Sequence, residues 1–154
     1  MIVGVAAMKN ILSKKAQLDF VVSITEEGRV HPEILDYPHL QLSFYDITEA
    51  DSFGAVGPSM ADIEKLANLP RTENILFHCT AGYSRSSAAA VIHYMSMYGS
   101  EQRAYDRTVQ IVEDCFEKGL RGHPYICPNL RMIALADEFF QSGGRLIEVA
   151  KKNY

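Results

Sequence analysis

Residues 74–98, NILFHCTAGYSRSSAAAVIHYMSMY, constrain the fold more than any other stretch of the chain. The first six form a short apolar run of the kind found in buried strands. Residues 86–98 are apolar nearly all round, which predicts a helix covered on most sides. Two further runs, IVGVA (2–6) and LDFVVSIT (18–25), predict buried strands, with a short helix in MKNILSKKAQ between them. HLQLSFYDI (39–47) alternates, with Leu40, Leu42 and Phe44 on one face, so it predicts another strand with Asp46 at its carboxyl end. Strands interleaved with helices mean an α/β fold: one domain over residues 1–154, with a central, mostly parallel sheet of about four to five strands flanked by helices. With 154 residues, 47% of them hydrophobic, the chain is long enough to bury one core.

The remaining segments read as helices and turns. SMADIEKLANL (59–69) carries Ser59 and Asp62 at capping-box spacing and ends before Pro70. Ser100 caps a long amphipathic stretch, residues 101–120, in which Tyr105, Thr108, Val109, Val112, Cys115 and Phe116 form one stripe. A Pro/Gly loop (119–128) leads to a last helix in NLRMIALADEFFQ, with Asn129 as cap and Gly143-Gly144 as stop. The formal net charge of -4 gives no long-range attraction for nucleic acid or an acidic membrane, and no apolar run reaches spanning length. Three cysteines without a CxxC argue against a disulfide framework and suit a reducing, cytoplasmic compartment. No metal or organic cofactor is expected; His123 and Cys127 have only weak metal spacing.

Chemistry concentrates in HCTAGYSRSS (78–87). A loop wound around a helix N-terminus presents the backbone N–H groups of Thr80, Ala81, Gly82, Tyr83, Ser84 and Arg85 to an anion, and the helix dipole adds positive potential. That environment favours the thiolate form of a cysteine, the nucleophilic one, at position 79. Arg85 offers a planar fork for two oxygens of a tetrahedral anion. Gly82 permits close backbone approach. Ser86 is placed to hydrogen-bond the sulfur, and Tyr83 to line the pocket mouth.

This stretch resembles the H-C-x5-R-S/T signature of the cysteine-dependent protein tyrosine and dual-specificity phosphatases, and its AGYSRS portion is similar to the dual-specificity branch. The resemblance extends through LSFYDI, the alanine-rich helix and YICPNLRMIALADEFF, and is similar to compact single-domain bacterial proteins of this type. It implies a phosphocysteine intermediate on Cys79, with Arg85 and Ser86 assisting. It implies an aspartate acid roughly thirty residues before the cysteine: Asp46, with Asp51 as competitor. It further implies that His78 orders the loop beside Cys79 and that Asn129 helps to fix it. The partner is then a phosphorylated protein or peptide, in a chain whose oligomeric state the sequence leaves open. A catalytically weak phosphate-recognising module is the alternative. Arsenate-reductase chemistry fits less well, because those enzymes place the cysteine before the aspartate, and rhodanese loops generally need no upstream acid.

Overall fold

A computed structural model describes residues 1–26, 29–51 and 54–153. Four strands appear among them: β1 (Ile2–Gly4), β2 (Phe20–Thr25), β3 (His39–Ser43) and β4 (Ile75–Cys79). They form one sheet in the order β1-β4-β2-β3, and every pairing is parallel. The register sets Gly4 beside Cys79 and Ser23 beside His78. All carboxyl ends therefore lie along one edge, where an α/β sheet gathers its ligands.

Six helices are described: α1 (Val5–Ser13), α2 (Met60–Ala67), α3 (Arg85–Tyr98), α4 (Glu101–Glu117), α5 (Leu130–Phe139) and α6 (Arg145–Lys151), with a 3-10 turn at Pro32–Ile34. All five β4 residues are buried, and so is every α3 residue from Arg85 to Met95. The all-round apolar composition of 86–98 is thus matched by its surroundings, since α3 packs on β4 and against α2, α4 and α5. Gly99, at φ +62°, closes α3, and the Ser59–Asp62 capping box opens α2. No helix among the described residues is long and apolar enough to cross a membrane.

Several element boundaries differ from the sequence expectation. β1 stops at Gly4 and α1 occupies 5–13 instead of 8–17, because the chain turns at Gly4 against the Ala81 carbonyl and the Val5 N–H bonds the Thr80 carbonyl at 3.2 Å. β3 ends at Ser43 rather than 47. Tyr45 N–H leaves the ladder to bond the Val56 carbonyl at 2.8 Å, so Asp46 sits on a loop beyond the strand. α4 ends at Glu117, and Gly119, at φ +69°, starts the loop. Its buried face includes Ala104 and Ile111, while Phe116, in the last turn, is 41% exposed.

Helix α6 was not expected at all. Its cap comes from α5: the buried Asp137 carboxylate accepts N–H bonds from Gly144 (2.7 Å) and Leu146 (2.9 Å). A capping aspartate conventionally stands at the helix's own N-cap. Here that position is Gly144, so the local sequence carries no start signal.

Candidate active site

Residues 80–84 join β4 to α3, and the carbonyls of Thr80, Gly82, Tyr83 and Ser84 are each tied by a hydrogen bond. Val5 N–H bonds the Thr80 carbonyl at 3.2 Å, and Arg121 Nη1 bonds that of Gly82 at 2.6 Å. Ser87 Oγ donates to the Tyr83 carbonyl at 2.7 Å, and Asn129 N–H to that of Ser84 at 3.2 Å. Because each peptide is planar and trans, a carbonyl held on one side turns the next residue's N–H to the other. The N–H groups of Ala81, Tyr83, Ser84 and Arg85 therefore face away from these clamps. Those of the first turn of α3 have no intrahelical acceptor, as at any helix start. Gly82, at φ +69°, is pressed so closely on the Val3–Gly4 backbone that a Cβ would overlap it. Only glycine fits there.

Cys79 ends β4 with 2% exposure, and its thiol lies 3.3 Å from Ser86 Oγ. His78 is fully buried, and neither ring nitrogen makes a hydrogen bond of ordinary geometry. Burial first, then the neighbouring His31 ring, hold it neutral with a pKa lowered to about 4; a loose contact with the Cys79 backbone pulls weakly the other way.

Arg85 is 3% exposed. Its Nη1 donates to the Phe44 carbonyl at 2.8 Å, and Nη2 to Glu26 Oε1 at 2.9 Å and to Thr80 Oγ1 at 3.3 Å. Nε is buried without a partner. Partial burial of Glu26 opposes its charge, but hydrogen bonds from its own amide, Arg85 and Thr80 outweigh that and hold the carboxyl below its ordinary range.

Asp46 comes to the rim of the loop. Its Oδ1 accepts from Ser84 Oγ at 2.8 Å and from Asn129 Nδ2 at 2.7 Å. Asn129 also caps α5, accepting the Met132 N–H at 3.0 Å, so one residue joins the loop, Asp46 and a helix start. Asp51 is placed differently: it accepts from Gly57 N–H at 3.0 Å and Arg131 Nη1 at 2.7 Å, and those two bonds lower its pKa. Tyr83 lies edge-on to His123 with ring centroids 4.5 Å apart. All three cysteines are free, and Cys115 is buried in the core. No group of three potential metal ligands occurs among the described residues.

Sequence reasoning missed two residues that contact the loop. Glu26, one residue past β2, reaches Arg85. The signal available was its place at a strand's carboxyl end. Arg121 lay unread in the Pro/Gly loop.

No family model and no curated protein matches the chain. Solved structures do. The Yvh1 phosphatase domain from Chaetomium thermophilum superposes with a TM-score of 0.58 at 16% identity, covering 94% of this chain and 91% of that one. The fold is that of the dual-specificity phosphatases. PTP-2 phosphatase of Cydia pomonella gives 0.55 at 24% identity, covering 89% and 83%. The human tyrosine phosphatase-like serine/threonine/tyrosine-interacting protein gives 0.57 at 16%, covering 92% and 87%. Within this dual-specificity fold, the loop from Cys79 to Arg85 occupies the strand-to-helix turn at the carboxyl edge of the sheet.

Proposed function

We propose that the protein is a cysteine-dependent phosphoprotein phosphatase acting on phosphotyrosine and, as a dual-specificity enzyme, on phosphoserine or phosphothreonine. The observation that carries this reading is the loop in which outward-tied carbonyls leave N–H groups facing the other way, beside Cys79 and a buried arginine with an unpartnered Nε. Such a cradle suits a phosphoryl dianion. The Cys79 thiolate attacks phosphorus; the P–O bond to the leaving group breaks as the S–P bond forms, and Asp46 gives its proton to the departing oxygen. Water then attacks phosphorus, Asp46 takes its proton, and the S–P bond breaks with Ser86 donating to the sulfur. Arg85 meets the phosphoryl oxygens through Nε and the Nη2 N–H now held weakly by Thr80, while Glu26 and Phe44 keep its plane fixed. Asp46 is favoured over Asp51 because it touches the loop, whereas Asp51 braces Arg131 and Gly57.

The alternative, a recognition module with weak turnover, draws support from the likeness to a tyrosine phosphatase-like interacting protein. One assay separates them: phosphate release from p-nitrophenyl phosphate and a phosphotyrosine peptide, with and without chelator. Wild type should turn over in both conditions, and Cys79→Ser should not. Asp46→Asn should bind the peptide yet lose about 10²–10⁴-fold in turnover on a poor leaving group. Activity persisting in Cys79→Ser rejects the mechanism, tight peptide binding without release by wild type favours the module, and a loss in Asp51→Asn instead moves the acid.

A further inference from the structure

Arg121 lies half-buried in the loop after α4, and its guanidinium meets four backbone carbonyls from three parts of the chain. Nη1 donates to Ile2 at 3.0 Å and to Gly82 at 2.6 Å, Nε to His123 at 3.2 Å, and Nη2 to Tyr125 at 3.0 Å. Four of its five N–H groups are thus engaged by neutral acceptors. No carboxylate pairs with it among the described residues, so its charge stays beside the loop without a counter-ion.

The other outward clamps on residues 80–84 come from backbone N–H groups or a serine hydroxyl; Gly82 alone is held by a charged side chain. Gly82 has a positive φ and no side chain, so its peptide is held by backbone packing on Val3 and Gly4 and by the bond from Arg121. Fixing the Gly82 carbonyl toward Arg121 turns the Tyr83 N–H to the opposite side, toward the anion cradle. The same guanidinium anchors the carbonyls of His123 and Tyr125, whose rings continue outward from Tyr83: Tyr83 to His123 at 4.5 Å and His123 to Tyr125 at 6.5 Å. Burial opposes the guanidinium's charge and lowers its pKa, while Cys115 and Cys79 act in the opposite sense.

We propose that Arg121 is a positioning residue that orients the 82–83 peptide, so that the Tyr83 N–H becomes a phosphate donor. The proposal rests on the phosphatase reading of the same loop. It is tested by following backbone amide resonances as inorganic phosphate is added, beside calorimetric phosphate affinity, at a temperature where each protein is folded. In wild type the amides of Ala81, Tyr83 and Arg85 should all shift. In Arg121→Met the Tyr83 response should vanish while Ala81, tied through Val5, and Arg85, tied through Asn129, still respond; phosphate affinity should fall about tenfold. Arg121→Lys, which reaches fewer carbonyls, should fall between. A merely structural arginine would lower the melting temperature and leave the Tyr83 response intact, and that result overturns the proposal. So does a wild type in which Ala81 and Arg85 respond without Tyr83. If Arg121→Met does not fold, wild-type affinity and a wild-type Tyr83 response in Arg121→Lys overturn it. If no loop amide of the wild type responds, the cradle reading itself fails and the positioning role with it.

Discussion

Helix α3 begins and ends beside a glutamate–arginine pair, and the two pairs are alike in little but length. At its start, Arg85 meets Glu26 at 2.9 Å, with side chains 3% and 27% exposed. Near its end, Arg107 meets Glu73 at 2.6 Å, with side chains 28% and 43% exposed. Each end also holds a fully buried histidine. His93 bonds the Thr72 carbonyl at 2.9 Å, whereas His78 has no such bond. The far end is finished off by its own chain: Glu73 takes the Tyr98 hydroxyl, Tyr94 and Tyr98 stack, and Arg103 sits 4.9 Å over the Tyr98 ring. The near end keeps buried donors without partners, Arg85 Nε among them. Buried polar groups are ordinarily hydrogen-bonded, and the far end leaves only His93 Nδ1 without a partner where the near end leaves both His78 nitrogens and Arg85 Nε, an imbalance in line with the anion site proposed at the near end.

The harshest way to break the comparison is Arg85→Met. Losing one preorganised donor to transition-state charge costs about 10²–10³-fold in kcat. Removing Arg85 also leaves the buried Phe44 carbonyl without its donor and frees Glu26, whose 27% exposure lets water take over, at about 1–3 kcal/mol of stability. Steady-state kinetics on an aryl phosphate and urea denaturation measure the two. A loss of less than tenfold in kcat would show that the near pair is only structural.

The histidines give the next effect. His78 is held neutral down to about 4 by burial, against an ordinary 6.5. Between those values the unfolded chain binds a proton that the folded one refuses, so stability falls as pH falls through the window, by about 3 kcal/mol in all. His93 is lowered too, chiefly by burial, but the Thr72 carbonyl and Glu73 pull it back. Urea midpoints at pH 7 and pH 4.5 should therefore flatten more in His78→Phe than in His93→Phe. Equal slopes would erase this difference between the ends.

Glu26→Gln is the milder probe of the near pair. It preserves shape but weakens the grip on Arg85, and we expect kcat/KM to fall about tenfold. Its carboxyl is held below its ordinary value of 4.5, so its contribution is present above that value and is lost as pH falls through the depressed one. The glutamine variant should accordingly lose less stability than wild type on acidification. An unchanged kcat/KM would mean that Phe44 and Thr80 suffice to hold Arg85.

These predictions draw on residues that the sequence disclosed unevenly. The placement of Cys79, Arg85 and Ser86 around one loop was legible because strand, turn and helix start follow one another in HCTAGYSRSS. Asp46 was legible as a carboxylate at the carboxyl end of an alternating strand, though the strand itself stops at Ser43, and Asn129 as a helix cap; that the Asn129 side chain bridges to Asp46 was not. Glu26 and Arg121 act across 59 and 39 residues of chain, through side chains whose direction no periodicity records. The parallel sheet was readable from β-branched runs, but the β1–α1 boundary was not. It is set by the close approach of Gly4 to Ala81, a tertiary contact. Helix α6 escaped for the same reason, since its cap is lent by Asp137.

The smallest expected effect is at the far pair. Glu73→Gln removes a bridge whose partners are both substantially exposed, and such pairs contribute about 0.2–1 kcal/mol because water screens the attraction and ordering two long side chains opposes it. The Tyr98 hydroxyl keeps an acceptor in the glutamine side chain, and Arg107 still has the Tyr94 ring 5.9 Å away, so the residual loss should lie near the bottom of that range. It should shrink further in high salt, where exposed charges are screened, whereas the loss from Arg85→Met should not. Turnover of an aryl phosphate should be unchanged, because among the described residues no hydrogen bond or ion pair of Glu73 or Arg107 reaches the loop between β4 and α3. Paired urea titrations at low and high ionic strength, with kinetics on the same samples, read all three quantities. A salt-independent loss above 2 kcal/mol, or a tenfold fall in kcat, would show that the two ends of α3 are coupled and that exposure alone does not separate them.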